Sequence, residues 1–373
     1  AMIDAYVQPL AAFSTRPDLP LAAGPVAYPP LFAWLVVPFT LPSPPTGFAL
    51  WTALNVAGAL WISWRIYQIV APRHRIWSVL LLLTSLPMFQ SLYIGHPMPL
   101  LAAALGEAFL ALRAGHDMRA GLLIACLLAK PQYVVLIGPY LLWKRRWQAV
   151  AGLTIGGLVV LGGSVLVADP ATLLAYPDAV RGMASFRDTG GNTQPEAMLN
   201  WRAVVLAAVP RISEVRGIAL TLGLSVATIG VAAVALRGSW EPRGPRFAAG
   251  MALLVIATLV ANYHSHVYGA VLLAVPLAAA LADQRLTVWP RAAVVSMAFA
   301  WSCWTSAQLV WPTALRTNWP LPAVLLLLSF CAVTAVLWPT LPVGQLARIA
   351  APAWRPRLQR FAARHNPIST DSA

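Results

Sequence analysis

Long apolar runs separated by short polar stretches recur along all 373 residues of the sequence. Each run is roughly 15 to 20 residues long, and a helix of about 20 apolar residues crosses the hydrocarbon of a bilayer. No ten-residue alternation of the kind found in membrane barrels is present. The pattern predicts an all-α, polytopic membrane bundle, with helices near 47–64, 76–92, 98–112, 149–167, 217–236, 247–262, 267–282, 292–310 and 320–338.

The apolar stretch 120–143, "AGLLIACLLAKPQYVVLIGPYLLW", does not read as one spanning helix. Basic residues flank both of its ends, and a single span would place one of the two clusters outside, against the positive-inside tendency. Pro131 lacks an amide hydrogen and steers Lys130 away from helical geometry. We therefore predict two short helices that meet at a polar elbow, which is tolerated only in a cavity or inside protein. This pair brings the expected number of membrane helices to about 10 or 11.

The segment 28–42 has too few apolar residues between its prolines to span a bilayer, and it is predicted to be a juxtamembrane or re-entrant helix. The longest polar stretch, 168–216, is predicted to be a loop that acts as a lid for donor or acceptor. The predicted organisation is an outer loop and juxtamembrane helix at 1–46, a transmembrane core at 47–167 with its broken hairpin, the extracytoplasmic loop 168–216, C-terminal transmembrane helices at 217–338, and a basic tail at 339–373.

Composition and charge support a membrane location and set its orientation. Hydrophobic residues make up 59% of the chain and charged residues 10%, compared with about 25% charged in soluble domains. Most of the 26 Lys and Arg fall in alternate loops and in the tail, so these are predicted to face the cytoplasm from the plasma (inner) membrane. The basic tail is expected to contact anionic membrane lipids rather than nucleic acid.

With this orientation, the unusual polar residues of the apolar sequence fall on the extracytoplasmic side. The three cysteines have unrelated spacing inside apolar runs, and the aspartates of this side form no paired motif, so neither a metal nor another cofactor is predicted. The polar residues on this side are Asp4, Tyr28, His96, Arg202, Tyr263, His264 and His266, and Lys130 approaches them from the elbow.

Four stretches occur in an order that resembles a known family: "DAYVQPL…VAYPPLFAWLVVPFTLP", "SLYIGHPMPLLAAALGEAFLALRAG", "AGLLIACLLAKPQYVVLIGPYLLWKRRW" and "YHSHVYGAVLLAVPL". The chain resembles glycosyltransferase family 87, the polyprenol-phosphate-dependent mannosyltransferases of the GT-C superfamily, from residue 4 to about residue 282. The resemblance implies a GT-C-type bundle. It also implies an inverting enzyme that moves mannose from a polyprenyl-phosphate donor to a hydroxyl of a glycolipid or glycan acceptor on the extracytoplasmic face.

The resemblance also implies roles for single residues. The aspartate of the family's first outer loop is the general base, and Asp4 stands at the matching position, followed by Tyr6. His264 matches a family position, and His96 stands where the family usually carries glutamine. The family has a transmembrane helix before its aspartate, so we expect that helix to be missing from this sequence.

The chemistry of a lipid-phosphate sugar requires two tasks of the protein. A carboxylate must take the proton of the acceptor hydroxyl, and one displacement then inverts the anomeric carbon without a second carboxylate. Cations and donors must also hold the departing phosphate near the membrane surface. Asp4 and His264 are predicted to be catalytic, and the predicted donor-phosphate or substrate-binding residues are Lys130, His266, Arg202, Tyr6, Tyr28, His96, Gln132 and Tyr263.

Plainer interpretations of the same residues stay open. A carboxylate such as Asp4 is often only solvated, Lys130 could extend to water without binding a ligand, and histidines at helix ends often only cap them. A multi-pass transporter would also place ionisable residues at broken helices, although it should show internal repeats. No second copy of "AKPQ" or of "YHSH" occurs. Within the transferases, an arabinosyl or glucosyl donor remains an alternative to mannose.

Overall fold

The computed structural model of the protein describes residues 28–168, 197–282 and 321–337, with a few positions between 170 and 177. These residues are helical and contain no β-strand, so the predicted all-helical membrane fold is confirmed. Asp4, Tyr6, the predicted helix 292–310 and the basic tail lie outside the described residues. The described α-helices are α1 (Pro30–Val36), α2 (Pro44–Ile69), α3 (Arg75–Leu83), α4 (Leu86–Tyr93), α5 (Met98–Ala114), α6 (Asp117–Ala125), α7 (Ile137–Trp143), α8 (Trp147–Val167), α9 (Trp201–Ala208), α10 (Glu214–Ala235), α11 (Pro245–Ala261), α12 (Ala274–Ala282) and α13 (Leu321–Leu337).

Three of these helices, α2, α8 and α10, are long and apolar enough to cross a membrane individually. Helix α3 with the 3₁₀ turn before it and helix α4 together form a fourth candidate span, bent by 46°. The sequence predicted one helix over 76–92, but the chain breaks at Thr84 and Ser85, and Pro87 lies in the first turn of α4. Proline suits the first turn of a helix and disrupts its interior, which explains the bend. Shorter apolar helices, including α11 and α13, pack beside these spans.

The predicted elbow in 120–143 is present. Helix α6 tightens into a 3₁₀ turn at Cys126–Ala129, Lys130 adopts an extended backbone (φ −132°, ψ 83°), and a second 3₁₀ turn at Pro131–Tyr133 leads to α7. The proline imposes this geometry on the residue before it. The elbow is enclosed by protein, since Lys130 is only 9% exposed, and a polar group there requires partners from the rest of the bundle.

Glycines hold α6 directly against α8. A Cβ atom at Gly121 would overlap the carbonyl oxygen of Ala149, and one at Gly152 would overlap the carbonyl oxygen of Met118. One turn further along α8, a Cβ at Gly156 would overlap that of Ala125. Small residues spaced in this way let two helix backbones approach closely. The packing fixes the direction of α6 and therefore the position of the elbow at its end.

The two ends of the bundle carry different polar side chains. At one end, Glu107 on α5 pairs with Arg65 on α2 and accepts a hydrogen bond from Trp61 Nε1 at 2.9 Å. At the same end Asp117, only 3% exposed, pairs with Arg146 at 2.7 Å from Nε to Oδ2. The elbow, the loop before α5 and the loop after α11 all lie toward the other end of the bundle, because of the directions in which α5, α6 and α11 run. The basic and the histidine-rich loops therefore lie at opposite ends.

Candidate functional site

The ammonium group of Lys130 lies among aromatic rings and hydroxyl groups. Its Nζ is 3.4 Å from the hydroxyl oxygen of Tyr268, 4.8 Å from the centre of the Tyr268 ring and 5.2 Å from that of Tyr28. Aromatic faces attract a cation most strongly when water is excluded. No carboxylate among the described residues pairs with Lys130. The elbow thus places a positive charge in a largely enclosed position, where no described acid balances it.

His96 forms the second side of this pocket. Its ring stacks on Tyr268 with a centroid distance of 3.9 Å, and a hydrogen bond of 2.9 Å joins its Nε2 to the Tyr28 hydroxyl. The turn that carries it depends on Gly95, whose φ of +66° suits glycine and whose carbonyl accepts from Trp51 Nε1 at 2.6 Å. The short "GHP" sequence therefore presents one imidazole at the start of α5.

The loop after α11 is locked by the segment before α9. The amide of Leu199 donates to the carbonyl of Ser265 at 2.9 Å, and the Asn200 side chain donates to the carbonyl of Tyr263 at 3.0 Å. Asn200 also caps α9 by accepting from the amide of Ala203 at 3.1 Å. This segment lies inside the predicted lid 168–216, which also contains helix α9 instead of being a loop throughout, and it holds the histidine loop in place.

Arg202, the second residue of α9, lies behind the histidine loop. It is fully buried, and its guanidinium carbon is 4.8 Å from the centre of the Tyr263 ring. Its charge therefore lies close enough to His266 to lower the pKa of that imidazole, without being exposed on the surface.

Aromatic contacts join the two loops into one cluster. The rings of His264 and His266 are 4.8 Å apart, and His266 stacks on Tyr268 at 5.4 Å. Tyr268 in turn contacts His96 and Lys130. We call Tyr28, His96, Lys130, His264, His266 and Tyr268 the Lys130 cluster.

The surroundings of His96 and His266 disfavour their protonated forms. Burial lowers the pKa of His96 well below its usual value, and the neighbouring Lys130 and His266 lower it further. Burial also lowers the pKa of His266 to about 3, and His264, Lys130 and Arg202 add to this effect. His96 and His266 therefore serve as neutral hydrogen-bonding groups, and the positive charge comes from Lys130 in the cluster and from Arg202 behind the histidine loop.

The structure brings together seven of the ten residues predicted from the sequence. Gln132 lies two positions after Lys130 on the 3₁₀ turn and is partly exposed. Asp4 and Tyr6 are outside the described residues. The seven that converge are Lys130, His96, His264, His266, Arg202, Tyr28 and Tyr263.

The sequence reasoning missed Tyr268, which contacts Lys130, His96 and His266 at once. Its spacing was an available signal, because His264, His266 and Tyr268 alternate along the chain. Tyr133 was also missed. It is 1% exposed, and a Cβ at Gly269 would lie 2.9 Å from its hydroxyl oxygen.

The donor set of the cluster suits an anion. Among residues 28–168, 197–282 and 321–337, no group of three or more His, Cys, Asp and Glu side chains is arranged to hold a metal ion. The cluster instead offers a cation, phenol hydroxyls and neutral imidazoles, which bind phosphate oxygens well.

Comparison with known proteins shows the family of this chain. No curated protein and no solved structure matches the sequence. The family model "Glycosyltransferase family 87" matches residues 27–262, which include Tyr28, His96 and Lys130 of the Lys130 cluster and end before His264, His266 and Tyr268. Because this match covers more than half of the chain, the protein belongs to glycosyltransferase family 87, and it is a membrane glycosyltransferase.

Proposed function

We propose that this enzyme transfers a sugar, expected to be mannose, from a polyprenyl-phosphate donor to a hydroxyl of a glycolipid or glycan. The reaction takes place on the extracytoplasmic face of the plasma membrane, within a GT-C-type bundle. The observation that carries the proposal is the buried charge of Lys130, which has no carboxylate partner among the described residues. A buried charge is costly unless it is paired, so an anionic substrate would complete this pocket.

The phosphate of the donor fits the geometry around Lys130. One phosphate oxygen would accept from Nζ, and the Tyr268 hydroxyl, 3.4 Å from Nζ, would be a further donor. When the bond between the sugar and the phosphate breaks, negative charge on the phosphate increases. These contacts therefore strengthen in the transition state, which accelerates the reaction as well as binding the substrate.

In the proposal, the remaining residues act on the acceptor and the sugar. Asp4 takes the proton of the acceptor hydroxyl, whose oxygen attacks the anomeric carbon and displaces the lipid phosphate. His264 relays or donates protons beside the reacting sugar. Tyr6, Tyr263 and Gln132 contact donor or acceptor, and Arg202 adds positive charge behind the histidine loop. Because the reaction is a single displacement, the product has the inverted anomeric configuration.

The test is a transfer assay with purified protein in nanodiscs and a panel of labelled donors: polyprenyl-phosphate mannose, arabinose and glucose, and a nucleotide sugar. We expect transfer from one lipid-phosphate sugar only, with mannose preferred. Asp4→Asn should abolish transfer, whereas Asp18→Asn, the same change nearby, should retain it. Transfer from the nucleotide sugar alone, or full activity of Asp4→Asn, would contradict the proposal.

A further inference from the structure

A second polar cavity lies at the end of the bundle opposite the Lys130 cluster. It has a volume of about 200 Å³ and lies between the end of α7, the loop after α10 and the start of α11. This is several times the roughly 30 Å³ that a water molecule occupies in the liquid. Its walls are the rings of Tyr140, Trp240 and Phe247, and its charged residues include Lys144, Arg237 and Arg246.

Positive charge dominates this cavity. Glu241 is the single acid among its described lining residues, against three basic side chains, and its carboxylate already accepts from the Ser239 hydroxyl. None of the three basic residues forms an ion pair within the described part of the chain. The neighbouring Arg146 differs, because it is neutralised by Asp117. The cavity therefore has a net positive charge that the described residues leave uncompensated.

Backbone carbonyls, rather than acids, hold these cations in place. Lys144 Nζ donates to the carbonyls of Leu236 and Gly238, both at 2.8 Å, and Arg246 Nη2 donates to the carbonyl of Leu337 at 3.0 Å. Burial lowers the pKa of Lys144, and the nearby Arg246 lowers it further. Carbonyl dipoles orient the two groups but do not cancel their charges, so the cations are positioned for an anion.

Two donors in the cavity have no partner among the described residues. Trp240 Nε1 and Arg246 Nε are both buried and donate to no acceptor there. Leaving a buried donor unsatisfied costs about 1–3 kcal/mol, so native structures usually supply an acceptor. An anion with several oxygens would satisfy both donors at once.

We propose that this cavity binds a phosphate group, carried either by the headgroup of an anionic phospholipid or by a soluble phosphate compound. A phosphate has the acceptor oxygens that the indole and guanidinium donors need. The cavity also lies at the basic end of the bundle, which the positive-inside rule assigns to the leaflet with anionic lipids. The site is separate from the proposed donor pocket, because it involves a different end of α11 and none of the residues of the Lys130 cluster.

The experiment measures ligand binding to the purified protein by native mass spectrometry. Phosphatidylglycerol and inorganic phosphate are titrated separately, with phosphatidylcholine as the lipid of zero net charge. The variants are Arg246→Gln inside the cavity and Arg237→Gln at its exposed edge. The control is Arg73→Gln, an exposed arginine at the same end that does not line the cavity. Thermal unfolding checks that each variant folds, and Arg237→Gln makes no change inside the bundle.

We expect phosphatidylglycerol or inorganic phosphate to bind the wild type. Arg246→Gln should weaken that binding at least about tenfold, since a charged hydrogen bond contributes roughly 1.5–3 kcal/mol. Arg237→Gln should weaken it less, and Arg73→Gln should leave it unchanged. The ligand that shows this dependence identifies the source of the phosphate. The proposal is overturned if neither ligand binds the wild type, if phosphatidylcholine binds equally well, or if the cavity variants bind as the control does.

Discussion

Replacing Lys130 by methionine is expected to reduce sugar transfer strongly while leaving the protein at least as stable as the wild type. A hydrogen bond to a charged group contributes roughly 1.5–3 kcal/mol, so losing the contact with the donor phosphate should lower kcat/KM by about 10- to 150-fold. The substitution leaves no buried acid without a partner, because no described carboxylate pairs with Lys130. Methionine removes the cost of burying a charge and fills a similar volume.

Arg146→Met provides the contrast, because it removes a cation that does have an acid partner. Asp117 is 3% exposed and would lose its guanidinium partner. Breaking a fully buried pair costs about 3–5 kcal/mol, and we expect less here, about 2 kcal/mol, since 32% of the Arg146 side chain is exposed. The two substitutions should therefore separate activity from stability.

The assay combines initial rates over a range of donor concentrations with thermal unfolding in the same detergent. Lys130→Met should lower kcat/KM without lowering Tm, whereas Arg146→Met should lower Tm and retain the turnover of the protein that remains folded. The reasoning is refuted if Lys130→Met transfers sugar at the wild-type rate. It is also refuted if that variant loses stability as Arg146→Met does.

Three further predictions address packing, donor binding and pH. Gly152→Ala should destabilise the protein by about 1–3 kcal/mol, because its Cβ would overlap a carbonyl of α6. Gly162→Ala, on the same helix with open space around it, should be neutral or stabilising by about 0.5–1 kcal/mol; equal Tm values for the two variants would exclude the close packing. Tyr268→Phe should raise the KM for the donor about fivefold at unchanged Tm, since it removes only the hydroxyl near Lys130, and an unchanged KM would exclude that contact. His266 has a pKa of about 3 in the folded protein, so between pH 6.5 and 3 the unfolded chain binds a proton that the folded protein does not. Lowering the pH from 7.5 to 5 should therefore cost about 2 kcal/mol at this site, and His266→Gln should reduce the fall in Tm over that range.

Local chemistry made part of the fold predictable. Long apolar runs marked α2, α8 and α10, and Pro131 marked the elbow, because its effect on Lys130 depends only on its covalent geometry. The bend between α3 and α4 was missed, since the apolar run continues through Thr84 and Ser85 and hydropathy does not register a change of direction. Hydropathy also does not distinguish a 3₁₀ segment from an α-helix. Residues 267–273 were therefore predicted as part of one helix but form a 3₁₀ segment.

The candidate site was predictable as a set of polar residues but not as an arrangement. Lys130, His96 and His266 stood out because each is costly in an apolar environment. Tyr268 did not stand out, because a tyrosine near a membrane interface is common and its stacking on His96 depends on contact between distant segments. The position of α6 against α8 likewise follows from glycines that meet only in the folded protein.

The most direct test of the account is a structure of the protein bound to its polyprenyl-phosphate sugar, determined by cryo-electron microscopy in nanodiscs. The account predicts that phosphate oxygens lie within hydrogen-bond distance, about 2.7–3.2 Å, of Lys130 Nζ, with the Tyr268 hydroxyl beside them. A donor phosphate bound elsewhere, with Lys130 still enclosed only by Tyr28 and Tyr268, would contradict it.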